Sequence, residues 1–223
     1  MRISWRALQL MRESVREPTI LSSRMRVPMA ESSPAPTHGS VCPWWLLYLF
    51  DNPLRRVVQR PETLLRPLVR SGDRCLDLGC GFGYFTIPMA RLAGSSGTVI
   101  AVDLQAEMLA RVRRRAARAG LSSRIRLHQA DATGLQLDGK FDFALAHWMV
   151  HEVPDQSGFL RQVAAALLPG GRLALVEPRG HVGLRAFART VALALDAGLV
   201  RVGDLQTFFS RGVLLENSVG SAA

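Results

Sequence analysis

Three glycines alternate with other residues in LDLGCGFGYF, residues 76–85, and acidic side chains stand at three places around them. Asp77 lies two residues before Gly79, Asp103 ends the run TVIAVD (98–103), and Asp131 ends RIRLHQAD (124–131). Glycines at 79, 81 and 83 let a backbone approach a ligand without Cβ clashes, and a helix starting there offers unpaired N–H groups. A carboxylate closing the next strand can accept hydrogen bonds from both hydroxyls of a ribose. Asp131, through its side chain or the adjoining backbone, suits the exocyclic amine of an adenine. Each acid alone reads equally well as a turn or cap residue; three at the ends of three consecutive strands do not. The chemistry indicated is nucleoside binding.

A dinucleotide site is the competing reading of the loop. It needs GxGxxG, but the run from Gly81 is GFGYFT, with Thr86 in the last position, and GCGFGY from Gly79 ends at Tyr84.

The second chemical stretch is HWMVHEVPD, residues 147–155. On a helix, His147 and His151 would share a face and could hold a metal. The preceding FDFALAHW (141–148) reads as a strand buried on both faces. On an extended chain, positions four apart are separated by about 13 Å. Pro154 disfavours helix at Val153, and HEVPD lacks the second histidine of HExxH. With no third ligand apparent, no metal is expected. The histidines are read instead as a pocket wall. An imidazole titrating near neutrality can remove a proton from an acceptor hydroxyl or amine. Two roles stay open for His151, proton acceptor or loop-fixing hydrogen-bond partner, with Glu152 solvated. For His147, nearer the strand, a structural role is favoured.

The elements that must position these residues alternate. Strands are expected at 74–79, 98–103, 124–131, 141–148 and 172–178, and helices at 84–94, 105–120, 155–168 and 181–198. Asp155 is the expected N-cap of the third of these helices, and Gly120 the stop of the second. The turn PGG (169–171) leads into the strand RLALVEP. Such alternation predicts a parallel sheet covered on both faces. Two last strands, 199–203 and 209–216, have no room for a crossover and must pair antiparallel. Upstream, NPLRRVVQRPETLLRPLV (52–69) reads as one or two helices interrupted at Pro61 and Pro67.

With 223 residues, 48% of them hydrophobic, the chain suffices for one well-cored domain with an extension. Residues 1–40 read as a disordered tail ending in the linker SSPAPTHGS. Arginines at 2, 6, 12 and 16 resemble a targeting helix, but Glu13 and Glu17 argue against one. Met25 or Met29 are alternative starts. The net charge is +10, and all but one of the 28 basic residues are arginine. Cys42, Cys75 and Cys80 form no CxxC pair. A sparse, odd cysteine count suggests a reducing, cytoplasmic location. No apolar run reaches the roughly 18–20 residues of a membrane span.

Residues 53–216 resemble the class I S-adenosylmethionine-dependent methyltransferases. The resemblance rests on LDLGCGFG, AVDLQAEML, QADATGL, FDFALAHWMVHEVPD and LLPGGRLALVEP. It implies an α/β, Rossmann-like, doubly wound seven-stranded sheet in the order 3-2-1-4-5-7-6 with strand 7 antiparallel, and S-adenosyl-L-methionine as cofactor. By resemblance, Asp77, Gly79, Gly81 and Gly83 form the loop at the methionine part, and Asp103 holds the ribose. Asp131 and Ala132 sit at the adenine, Leu104 and Met108 flank the nucleoside, and His147 borders the methyl group.

The links after the fifth strand are short, so residues 41–70 are the expected helical lid over the acceptor, with 71–217 as the cofactor-binding domain. Trp44, Trp45, Tyr48 and Phe50 in PWWLLYLFDNP, together with Trp148, would line an apolar acceptor site. Packing on the sheet edge or shallow membrane contact are the alternatives for that segment. The expected acceptor is a small apolar or aromatic molecule. The alternatives are RNA, a protein, or binding without turnover. The basic run RVRRRAARAG (111–120) has no aromatic residues interleaved and reads as a solvated face, not a nucleic-acid surface. Arsenite as acceptor ranks low, since it needs convergent thiols.

Overall fold

The computed structural model describes residues 60–131, 134–205 and 207–218. Near-continuous apolar runs form the centre of a sheet, because strands covered on both faces have no polar side. β1 (Arg74–Leu78), β2 (Thr98–Asp103) and β4 (Phe141–His147) are such runs. β3 (Ile125–Gln129) is exposed at Arg126 and Gln129 and forms one edge. With β5 (Leu167–Pro178), β6 (Leu199–Leu205) and β7 (Ser210–Asn217), the order is 3-2-1-4-5-7-6. β7 runs antiparallel to both neighbours. The implied topology and the terminal hairpin are both present.

Helices α2 (Thr86–Leu92), α3 (Ala106–Arg118), α4 (Gln156–Ala166) and α5 (Leu184–Asp196) supply the crossovers. Asp155 caps α4 as expected, its Oδ1 accepting from Gly158 N at 2.9 Å. Gly120, at φ +67°, follows the end of α3. One core holds Leu76, Leu78, Phe141, Leu160, Leu173 and Leu175; the other holds Leu65, Met89, Val99, Phe143, Leu145 and Ala174.

Pro61 opens α1 (Pro61–Leu65), where its missing N–H costs no hydrogen bond; the expected helix before it lies outside the described residues. Leu65, Leu68 and Val69 then bury against the sheet. The described part of the proposed lid is therefore core, while Trp44, Trp45, Tyr48 and Phe50 lie outside the described residues. PGG, expected as a turn leading into the strand RLALVEP, falls within the span of β5. Leu167 pairs with Phe141 and Arg172 with Phe143, so β5 gains residues at an irregularity that the glycines absorb.

Gly171 is the tight point of that irregularity: a Cβ there would meet the carbonyl oxygens of Leu168 and Phe141, both at 2.8 Å. At Gly180 a Cβ would meet nothing within 4 Å. Gly171→Ala should therefore lose roughly 1–3 kcal/mol by overpacking. Gly180→Ala should stay within about 0.5 kcal/mol of the parent. Urea unfolding of the two variants tests the contrast, and equal midpoints would contradict it.

Candidate functional site

Parallel strands end together, and the carboxyl ends of β1, β2 and β4 form one edge of the sheet. The chain leaves β1 through Gly79, Gly81 and Gly83 at φ +66°, +52° and +77°, a left-handed alternation that disfavours side chains. A Cβ at Gly79 would touch Met149 at 3.0 Å, and one at Gly83 would touch Val112 of α3 at 3.2 Å. At Gly81 nothing stands within 4 Å. The loop is thus packed at both ends and open in the middle, the shape a ligand needs to reach its backbone.

Asp103 joins this loop to β2. Its Oδ2 accepts from Gly81 N at 2.9 Å, and its Oδ1 accepts from Gln105 N at 3.0 Å. The carboxylate is held beside the open glycine, half-buried, and fits the hydroxyls of a ribose. Leu104 packs against the core beside it, and Met108 is half-buried one helical turn on. Asp131 lies two residues past the end of β3, exposed, its Oδ2 accepting from Gln136 Nε2 at 3.1 Å. Ala132 lies outside the described residues.

Asp77 sits beneath the loop, 3% exposed, and accepts from Thr86 Oγ1 at 2.5 Å. Burial pushes its carboxyl up to about 7; the Thr86 bond opposes the shift, and the charge of Asp103 adds to it. Burial likewise drives the Cys75 and Cys80 thiols well above their ordinary range. Both stay protonated, which removes the thiolates that arsenite chemistry would need.

The basic helix is only partly a solvated face. Arg113, Arg114 and Arg118 are exposed, but Arg111 lies over the Phe82 ring, 4.2 Å from its centre. Arg115 Nη1 donates to Phe82 O at 2.9 Å. With Val112 against Gly83, one face of α3 thus fixes the outer side of the glycine loop. The i, i+4 spacing of Arg111 and Arg115 carried this signal, but their partner was 29 to 33 residues away.

The two histidines do not share a helical face. β4 ends at His147, and His151 lies in a single 3₁₀ turn, Val150–Glu152. His147 stacks on Phe85 at 4.3 Å, which sets it beside the glycine loop, and on Trp148 at 5.0 Å. Trp148 takes φ +60°, a strained state for a bulky residue. It is held there by Trp148 N donating to Val176 O at 2.8 Å and Nε1 donating to Ser210 Oγ at 2.9 Å. His151 Nδ1 lies 2.7 Å from Glu177 Oε2, and His151 N donates to Glu177 Oε1 at 3.0 Å. Glu177 is buried, and the His181 ring lies 6.4 Å from that of His151.

Sequence reasoning missed Glu177, Met149 and Ser210. Glu177 was the detectable one: an acid closing the apolar run RLALVEP is out of place unless it has a partner. Trp44, Trp45 and Tyr48 lie outside the described residues.

Residues 75–171 match a protein family described as a methyltransferase domain. The chain is 38% identical over 144 residues to a 27-O-demethylrifamycin SV methyltransferase of Amycolatopsis mediterranei, covering 63% of this chain and 52% of that one. It is 38% identical over 110 residues to a ubiquinone/menaquinone biosynthesis C-methyltransferase of Cellvibrio japonicus, covering 49% and 44%. The chain therefore spans about half the length of these curated relatives. Among solved structures, a SAM dependent methyltransferase from Aquifex aeolicus aligns with a TM-score of 0.69 at 21% identity. That alignment covers 78% of this chain and 97% of that one, and it shows the same fold.

The raised carboxyl of Asp77 sets a stability difference with a definite sign. The native group holds its proton up to about pH 7, whereas the unfolded one releases it near 3.9. Its contribution is thus complete below about pH 4 and lost as pH rises through 7. Asp77→Asn, neutral throughout, should escape that loss. The stability gap between variant and parent should move in the variant's favour by about 1.4 kcal/mol per pH unit between roughly pH 4 and 7, then level off. Urea unfolding at intervals across this range measures it, and a gap independent of pH would show that Asp77 stays ionised.

Proposed function

We propose that the chain is a class I S-adenosylmethionine-dependent methyltransferase, a reading supported by the methyltransferase-domain match and the curated relatives, and that it methylates a small, apolar or aromatic molecule through an ionisable hydroxyl. The observation that carries the choice of acceptor group is the His151–Glu177 pair. A buried carboxylate accepting from Nδ1–H fixes the imidazole tautomer and leaves Nε2 as its basic nitrogen. The pair stands at the end of β5, beside the strand end that bears His147. The curated relatives are named for a rifamycin and for quinones, which supports a small-molecule acceptor.

The residues present fit the cofactor: an open glycine between two packed ones, and a carboxylate fixed at the end of β2. S-adenosylmethionine, when bound, supplies an electrophilic methyl group on a sulfonium. The chain's part is to bind, orient and take a proton. Gly79, Gly81 and Gly83 would receive the methionine part over Asp77, and Asp103 would exchange its bond with Gly81 N for the ribose hydroxyls. Asp131 and Ala132 would meet the adenine between Leu104 and Met108. Phe85, His147 and Trp148 form a continuous aromatic wall on the acceptor side. His151 would take the hydroxyl proton on Nε2 as the oxygen gains its methyl group, and Glu177 would stabilise the imidazolium. Positioning supplies much of the remaining rate. Trp44, Trp45 and Tyr48 remain candidates for closing this site. RNA is the weaker reading, because Arg111 and Arg115 of the basic helix face the glycine loop.

Calorimetry with S-adenosylmethionine should give binding to the full chain and a loss of roughly 10- to 100-fold in Asp103→Ala, as expected for lost charged hydrogen bonds. Against a panel of phenols and hydroxylated polycycles, release of S-adenosylhomocysteine should fall by about 10²- to 10⁴-fold in His151→Gln. Cofactor affinity should hold in that variant. Absence of cofactor binding would refute the methyltransferase reading. Undiminished turnover in His151→Gln would leave that residue only a loop-fixing role.

A further inference from the structure

Three large apolar side chains stand in the open at the edge of the sheet that carries the site. Leu184 is 68% exposed, Phe208 52% and Phe209 70%. Their position follows from the register. Ser210, the first residue of β7, pairs with Pro178, the last of β5, so the β6–β7 hairpin tip lies at the carboxyl end of β5. The β5–α5 link is bound to the same tip: Arg179 N donates to Phe209 O at 3.0 Å, and Arg211 Nη1 donates to Val182 O at 2.9 Å. Leu184 opens α5 two residues later.

This tip is held by several contacts. Phe209 takes φ +52°, unfavourable for a bulky residue, and the two phenylalanine rings pack edge to face at 4.2 Å. Arg179 Nε donates to Ser210 O at 3.0 Å, and Ser210 Oγ donates to Phe208 O at 3.2 Å while accepting from the Trp148 indole. The tip and the aromatic wall of the site thus share one hydrogen-bonded residue. Strain kept to hold two phenylalanines in water calls for a function.

The charge around them has one sign. Residues 178–189 and 207–211 contain Arg179, Arg185, Arg189 and Arg211 and neither aspartate nor glutamate. Arg179, Arg185 and Arg189 are exposed. Of the acids nearby, Glu177 is buried against His151, Asp204 is paired with Arg201, and Glu152 is exposed on the adjoining 3₁₀ turn. Exposed apolar side chains on segments whose only charged residues are arginines match an anionic lipid interface, where rings enter the headgroup region and guanidinium groups meet phosphates. No helix among the described residues is long and apolar enough to cross a membrane, so such contact would be peripheral.

We propose that this rim docks on an anionic lipid surface through Phe208, Phe209 and Leu184, so that an apolar acceptor enters the site from the bilayer. The inference rests on the reading of the acceptor as apolar, and it assigns the face through which that acceptor arrives. The test is sedimentation of the full chain with vesicles of phosphatidylcholine alone or mixed with phosphatidylglycerol. The parent protein should partition onto the anionic vesicles and much less onto the neutral ones. Phe208→Ser with Phe209→Ser should lower that partition by roughly tenfold or more. Arg185→Glu with Arg189→Glu should reduce it at low salt and abolish its salt dependence. Calorimetry with S-adenosylmethionine should show unchanged affinity in all variants, which establishes that they fold. Parent protein that ignores both vesicles, as it would if residues 41–59 or a second copy covered the rim, overturns the proposal. So does equal partition of parent and phenylalanine variant. Loss of turnover on a soluble phenol with vesicle binding intact would also overturn it, making the tip an acceptor contact instead. Cofactor binding without vesicle binding would sink only this inference; vesicle binding without cofactor binding would sink the functional reading and leave the rim.

Discussion

A carboxyl group enclosed in the middle of a parallel sheet is the constraint on which the cofactor edge depends. Asp77 pairs in register with Ala101 on one side and Leu145 on the other, so no water reaches it from a sheet edge. An ionised carboxylate there would carry a large desolvation cost. The group is tolerated because burial raises its carboxyl to about 7, so that it holds its proton up to neutrality, and because it accepts from Thr86. Thr86 is the first residue of α2, so the bond sets where the helix begins relative to the strand. The seven residues between have little freedom left, and the left-handed glycines at 79, 81 and 83 are what make so short a connection feasible.

The loop so defined is held from outside as well. Val112 abuts Gly83 while Arg111 and Arg115 engage Phe82, so α3 acts on two adjacent residues. From the inner side, Asp103 takes Gly81 N and Val102 O takes Cys80 N. Every residue from 80 to 83 is therefore tied to β2 or α3, and the open space over Gly81 is a fixed shape. A preformed cradle lowers the ordering cost of binding.

Much of this half was legible in the sequence because its signals are local. A strand, alternating glycines and a helix follow one another within 20 residues, and each acid closes its own strand. The sheet order and the antiparallel last strand came from resemblance and from a connection too short for a crossover, and both are present. What was not legible depends on partners far apart in the chain: Glu177 with His151, Ser210 with Trp148, Arg115 with Phe82. None of these pairs leaves a periodicity. PGG falls at the irregularity of β5 between Leu167 and Arg172, whose pairing with Phe141 and Phe143 could not be read from the local sequence. His147 and His151 do not share a helical face, because β4 ends at His147 and the chain turns at Trp148.

The two halves of the site therefore differ in how they are built. The match to the methyltransferase-domain family ends at residue 171, which leaves Glu177, His181, Leu184 and the Phe208–Ser210 tip beyond it. The proposed cofactor side stands on parallel strands whose carboxyl ends are brought together by their pairing. The proposed acceptor side stands on the antiparallel β5–β7 pair and on the β6–β7 hairpin. Trp148 is the joint between them: its backbone leaves β4 beside His147, and its indole reaches the hairpin through Ser210. A left-handed tryptophan at that joint holds the aromatic wall in one orientation toward both halves.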